Sequence, residues 1–250
     1  MGNPIIFIHG IGASASVWKK FDIPDHPAFY ISFSKRFANP SDQGSELAEF
    51  INQVLKETKK ERAILVGHSM GGLVARKYLV DHRDSCKIEK LVLLSVPNLG
   101  SIGLSTNWFP LALIVLGFWG YKYVWPLLLC MVGVIWELFS LWRGVLLLSP
   151  AAWALRPDSR FLRELNSKEM PEEVRYISIL SDTKDLPHRL VNLFLFREGG
   201  DGAVPLSSQK LSNRCAPNFS RLDYSELSVD LPHFAIPKRI PPEIIKALAS

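Results

Sequence analysis

Gly67-His68-Ser69-Met70-Gly71-Gly72 follows the apolar run Ala63-Ile64-Leu65-Val66 and precedes Leu73-Val74-Ala75-Arg76-Lys77-Tyr78-Leu79-Val80. The first run is short and β-branched and the last is spaced as a helix, so the three read strand, sharp turn, helix. A serine between glycines at such a junction is a nucleophile elbow, in which the turn strains the Ser69 backbone and lifts its hydroxyl clear of the sheet. Gly67 and Gly71 are small because strand and helix would otherwise collide. The bare pattern also arises by chance in Gly-rich βα loops, and it is the flanking strand and helix that select the chemical reading.

Outward from the elbow, strand and helix patterns alternate. Strands are expected at residues 5–8, 29–33, 64–66 and 91–96. Between them Leu47, Phe50, Ile51, Val54 and Leu55 fall at i, i+3, i+4, i+7 and i+8 on a helix that Pro40-Ser41 would start. Alternation of this kind predicts an α/β fold, a mostly parallel central sheet with helices on both faces. The pattern resumes after residue 150 with a helix at 158–165, a strand at 174–180, a last strand near 220–227 and a closing helix at 242–248.

Between these halves the composition changes. From Ser101 to Leu148 the charges are Lys122, Glu137 and Arg143, and six of the seven Trp residues lie between Trp108 and Trp153. Pro110 and Pro126 stand where helix first-turn prolines do, predicting apolar helices at 110–119 and 126–142. Residues 1–100 and 151–250 are therefore expected to form the core, and 101–150 an inserted apolar helical lid. So much apolar surface must fold over a site or meet lipid. Each apolar run, interrupted by Lys122 and Glu137, is shorter than the roughly twenty residues a spanning helix needs. Trp119, Tyr121, Tyr123 and Trp125 suit the headgroup region, so peripheral membrane contact is favoured over a spanning hairpin.

The bulk properties bound the rest. The length suits one α/β domain with an insertion. A net charge of +5 comes from scattered Lys and Arg, with no nucleic-acid motif, so nucleic acid is not an expected partner. Cys86, Cys130 and Cys215 match no disulfide framework or metal spacing. The first strand begins almost at Met1 with no secretory pattern, which predicts a cytoplasmic or peripherally membrane-associated protein, or a mature form.

A serine nucleophile needs a base, a carboxylate to orient the base, and backbone donors for the oxyanion. Of the six histidines His82, His188 and His233 follow Ser69 in the chain, and only the last two lie in the C-terminal part, where the base is expected. His233 comes after the last expected strand and fits the order Ser, acid, His, whereas His188 precedes the favoured acid. His9 and His68 sit inside motifs, and His26 and His82 look like solvated loop residues. That acid is Asp201, in the tight turn Gly199-Gly200-Asp201-Gly202-Ala203-Val204-Pro205. Asp182 and Asp185 compete with it, since they directly follow the strand at 174–180. Backbone N–H groups of Ile11, in His9-Gly10-Ile11-Gly12, and of Met70 are the expected oxyanion donors. No metal or organic cofactor is required.

Ile6-Phe7-Ile8-His9-Gly10-Ile11-Gly12-Ala13-Ser14, the elbow, Ser95-Val96-Pro97-Asn98-Leu99-Gly100-Ser101 and the turn at Asp201 together resemble bacterial triacylglycerol lipases and related esterases. The resemblance implies an α/β-hydrolase fold, a carboxylic ester hydrolase acting on lipidic or acyl esters, a lid after the strand ending at Val96, and Ser69, Asp201 and His233 as triad. Two departures stand out. Asn98 stands where the family often has a histidine, and many members are secreted, whereas the first residues here carry no leader pattern. The same apparatus also serves acyl transfer or thioester hydrolysis, and outside enzymes the rival is an inactive membrane-associated scaffold.

Overall fold

A computed structural model describes residues 2–18, 23, 25–101 and 149–239. In chain order these form β1 (Ile5–Ile8), β2 (Ala28–Tyr30), α1 (Pro40–Thr58), β3 (Ala63–His68), α2 (Met70–Asp81), β4 (Ile88–Leu94), α3 (Pro150–Ala154), α4 (Arg160–Asn166), β5 (Arg175–Ser181), α5 (Leu186–Leu195), α6 (Leu206–Gln209) and β6 (Asp223–Val229). The strands make one sheet in the order β2-β1-β3-β4-β5-β6, and every neighbouring pair is parallel.

Period-two alternation sorts the strand residues onto two faces. Across the sheet Ile6, Leu65, Leu91 and Tyr176 are in register, and all four face the core that α1, α2, α3 and α4 close. One residue along, Phe7, Val66, Val92 and Ile177 are in register on the opposite face, where Trp18, Ile23 and Ile236 cover them. Burying one such side chain contributes about 1.5–3 kcal/mol, whereas an exposed ion pair such as Arg160–Glu164 is screened by water and adds little. The ladders, not the surface charges, therefore hold the sheet. β6 is one of the two edge strands, largely exposed and carrying Asp223 and Glu226, charges that discourage a further strand from adding.

The long helix α1 begins as its sequence predicts. Asn39 Oδ1 accepts from the Ser41 N–H at 3.0 Å and Pro40 occupies the first turn. Its stripe Leu47, Ile51, Val54 and Leu55 is buried against the sheet.

Several boundaries differ from the sequence expectation. β2 is shorter than 29–33, although the Ile31 N–H still donates to Phe7 O at 3.2 Å before the chain turns away. β6 starts later than residue 220, because Phe219–Arg221 is a single 3₁₀ turn. The helix α5 was not expected. Pro187 breaks a helix interior but is tolerated in the first turn, which is where it sits. His26 and His82 are half-buried rather than solvated, and their Nδ1–H groups donate to Asn3 O at 2.8 Å and Tyr78 O at 3.0 Å. The expected helices at 110–119, 126–142 and 242–248, and Cys130, lie outside the described residues. Where the chain enters and leaves the inserted stretch its two ends meet, the Ser101 N–H donating to Leu155 O at 2.9 Å. Among the described residues no helix is long and apolar enough to cross a membrane.

From β1 the chain moves outward to β2, whereas from β3 it moves the other way to β4. At the carboxyl ends of β1 and β3 the connections therefore diverge and open a crevice, the place where parallel α/β sheets bind ligands. His9 to Gly12 leave β1 there, and Ser69 leaves β3 there.

Candidate active site

Ser69 stands between the last residue of β3 and the first of α2 with φ 54° and ψ −128°, a conformation that only an over-determined turn imposes on a residue with a side chain. Two backbone approaches fix it. A Cβ on Gly67 would lie 2.5 Å from Gly72 Cα, and one on Gly71 would lie 2.5 Å from both Ile8 O and His9 O. The elbow is thus clamped against β1 and against its own helix, and the Ser69 N–H donates to Leu94 O at 3.0 Å. Met70 opens α2, so its N–H is one of the helix-start donors that have no intrahelical acceptor.

The Ser69 hydroxyl donates to His233 Nε2 at 3.0 Å, and His233 Nδ1–H donates to Asp201 Oδ2 at 2.6 Å. His233 opens the 3₁₀ turn His233–Lys238 that follows β6, and its own N–H donates to Asp201 O at 3.1 Å. Asp201 is fully buried. Its Oδ1 accepts from Ala203 N–H at 2.9 Å and Val204 N–H at 2.7 Å, and the Ser95 hydroxyl donates to Oδ2. Burial alone would raise its carboxyl, but the attraction of His233 and the hydrogen bonds from His233, Ser95 and Val204 outweigh it and hold the group below the ordinary carboxylate value.

The turn that presents Asp201 is braced from two helices. Asn192 of α5 donates to Gly200 O at 2.7 Å and accepts from Gly202 N–H at 2.9 Å. Gln209 of α6 donates to Val204 O at 3.0 Å and to Ser181 O at 2.9 Å, which ties the turn to β5.

Two further histidines line the floor. His9 Nε2 accepts from the Phe33 N–H at 3.3 Å, so its proton sits on Nδ1 and donates to Gly10 O at 2.8 Å. With the Gly10 carbonyl held on that side, the planar trans peptide turns the Ile11 N–H the opposite way. This loop runs close to the elbow: a Cβ on Gly10 would lie 3.1 Å from Ser69 Cβ. His68 Nε2–H donates to His233 O at 3.1 Å, and its ring packs against the His233 ring at 4.7 Å.

Burial lowers His9 and, with the neighbouring His233 adding to it, pushes His68 down to about 3 from 6.5. Folded His68 is therefore neutral where the unfolded chain would take up a proton. Stability linked to it is complete above about 6.5 and is lost as pH falls toward 3. Urea titrations over that range are expected to give a wild-type slope steeper than that of His68→Asn by up to one proton, about 1.4 kcal/mol per pH unit. Parallel slopes would show that His68 is not held neutral.

Ser69, His233 and Asp201 are thus brought together, with Ile11 and Met70 beside them. The competing acids are not. Asp182 Oδ1 accepts from Gly200 N–H at 2.9 Å, and Asp185 Oδ2 accepts from His188 Nδ1–H at 2.7 Å, so His188 is engaged away from Ser69. Asn98, the departure from the lipase pattern, accepts at Oδ1 from the fully buried Arg76 at 3.1 Å and donates to Gln209 O at 3.0 Å. Arg76 also donates to Asn166 Oδ1 at 3.0 Å and Cys215 O at 2.6 Å, knitting α2 and α4 to the loop after β4. Neither Arg76 nor Ser95 was singled out as a residue from the sequence. A charged residue on the apolar face of a predicted helix is the signal that marks Arg76. Among the described residues, no group of three His, Cys, Asp or Glu side chains is arranged to hold a metal ion.

The family model described as alpha/beta hydrolase fold matches residues 3–126. Over 102 residues the chain is 31% identical to the AB hydrolase superfamily protein YisY of Bacillus subtilis, the match covering 38% of each chain. Over 96 residues it is 30% identical to the pimeloyl-(acyl-carrier protein) methyl ester esterase of Vibrio cholerae, covering 38% of this chain and 37% of that one. The matches thus span well under half of these relatives. The mature lipase BlEst2 of Bacillus licheniformis superposes with a TM-score of 0.67 at 17% identity, over 99% of this chain and 92% of that one. At that identity the likeness speaks for the fold alone, and together with the sheet order and the elbow it gives one conclusion: this chain has the α/β-hydrolase fold.

Proposed function

We propose that the protein is a serine carboxylic-ester hydrolase that acts on lipidic or acyl esters through an acyl-enzyme. Ser69 attacks the ester carbonyl while His233 takes its proton, and Asp201 orients the ring and balances the imidazolium. Backbone N–H groups of Ile11 and Met70 receive the oxyanion. The imidazolium then protonates the leaving alcohol, and water, deprotonated by His233, releases the acid. The observation that carries this reading is the unbroken relay from the Ser69 hydroxyl through both ring nitrogens of His233 to a buried carboxylate.

The lipidic side of the reading rests on apolar surface at the mouth of the site. Phe234, 75% exposed, stands beside His233 with its ring edge-on at 5.3 Å. The Trp-rich composition of residues 101–150 points the same way. We take that stretch as the acyl-binding cover and as the surface for peripheral contact with lipid.

A fluorophosphonate probe is expected to label the wild type stoichiometrically. p-Nitrophenyl esters should be cleaved with a preference for longer acyl chains that grows above substrate micellisation. An unlabelled wild type would sink the serine-hydrolase reading, and activity confined to short soluble esters would sink the lipidic one. Added acceptor alcohols that divert most of the acyl group to a new ester would turn the assignment to acyl transfer.

A further inference from the structure

Ser95 follows β4 directly and is fully buried, with φ 48°, a left-handed conformation that glycine takes freely and a serine does not. Its N–H donates to Ile179 O at 3.0 Å, so the backbone there is fixed by the sheet. The preceding residue, Leu94, supplies the carbonyl that holds the Ser69 N–H. From this position the Ser95 hydroxyl donates to Asp201 Oδ2, and its oxygen lies 3.3 Å from His233 Nδ1.

The three atoms form a closed triangle. Oδ2 receives Nδ1–H from one side and the Ser95 hydroxyl from another, while Oδ1 receives two backbone N–H groups. A carboxylate offers about four lone-pair positions, and here four donors occupy them with no exposure to water. Removing the Ser95 hydroxyl would leave one position on Oδ2 empty inside the protein. It would also free the carboxylate to swing in the one direction that the backbone donors on Oδ1 do not control. Ser95 is not placed to act as a nucleophile, because it meets the ring at Nδ1, the nitrogen that donates to Asp201, and not at Nε2.

We propose that Ser95 is a positioning residue of this site, whose hydroxyl locks the Oδ2 edge of Asp201 against the His233 ring and so fixes the ring for Ser69. The proposal rests on the serine-hydrolase reading above. It explains why a residue with a side chain is kept in a conformation suited to glycine.

The test uses Ser95→Ala and Ser95→Gly in the whole chain, assayed on one p-nitrophenyl ester, with fluorophosphonate labelling rates and melting temperatures measured alongside. Both variants are expected to lose about tenfold in kcat with KM within twofold, and both remain labelled, more slowly. Ser95→Gly also relieves the left-handed φ, so it should melt no lower than wild type while staying slow. The acid limb of the kcat/KM profile should move to higher pH in both, because an Oδ2 without the Ser95 hydroxyl holds the imidazolium proton more tightly. The other imidazoles around the ring, His68 and His9, are unchanged in both variants. A Ser95→Gly protein with wild-type kcat and pH profile overturns the proposal, as does one whose slowing simply follows a lowered melting temperature. If the wild type itself takes no label, it is the hydrolase reading that fails, which the two outcomes on Ser95→Gly do not touch.

Discussion

Ser69→Ala is expected to lower kcat on p-nitrophenyl esters by about 10⁶-fold and to abolish fluorophosphonate labelling, with the fold and melting temperature intact. The loss is that large because the relay ends on one oxygen. His233 Nε2 has the Ser69 hydroxyl at 3.0 Å, and the other nearby serine, Ser95, meets the opposite nitrogen. Asp201→Asn belongs to the same experiment and is expected to cost about 10⁴-fold, since an amide of the same shape cannot balance the imidazolium or select the tautomer that leaves Nε2 free to accept. Asp182→Asn should change activity little, its Oδ1 being spent on the Gly200 N–H. A 10⁴-fold loss in Asp182→Asn with a mild effect in Asp201→Asn would move the acid to the end of β5.

Gly71→Ala is expected to destabilise the protein by about 3 kcal/mol in urea unfolding and to lower esterase activity at least 100-fold. The added Cβ would sit 2.5 Å from Ile8 O and His9 O, well inside van der Waals contact, and both are backbone atoms that cannot swing aside. α2 must then slide away from β1, carrying Ser69 and the Met70 N–H with it while the Gly10–Ile11 peptide stays behind. Gly44→Ala is the control. The nearest atom to its new Cβ is Lys77 Cγ at 3.8 Å, so α1 gains an alanine in its interior, worth about 0.5–1 kcal/mol of stability, with activity unchanged. Equal effects of the two substitutions would show that the elbow is not clamped as described.

What could be read from the sequence was what local pattern dictates. The run 63–66, the elbow and the helix after it specify their conformations within a few residues, and Pro40-Ser41 marks a helix start by its own chemistry. The order Ser69, Asp201, His233 was legible because turn composition and chain order restrict the candidates so tightly. The supports of Asp201 were not. Asn192 and Gln209 lie on α5 and α6, helices that Pro187 and a four-residue length hide from any periodicity. Ser95 opens the stretch 95–101 that carries the family resemblance, yet nothing in that stretch marks its role, because its left-handed φ follows from β4 pairing with β5, a long-range fact. His9 and His68 belong to recognisable motifs, yet their work of holding the Gly10 and His233 carbonyls depends on which backbone oxygens the fold brings within 3.1 Å.

The hydrogen bond from Ser101 to Leu155 gives the inserted stretch a neck. The entropy of closing a chain segment across such a neck grows only with the logarithm of its length, about 0.6 kcal/mol for each doubling. The neck itself is therefore little affected by the number of residues between 102 and 148, whereas α3, on its near side, belongs to the core through Ala151 and Ala154. On the proposed reading, insertions and deletions between the two ends of the neck alter which esters are accepted before they alter the chemistry of Ser69, His233 and Asp201.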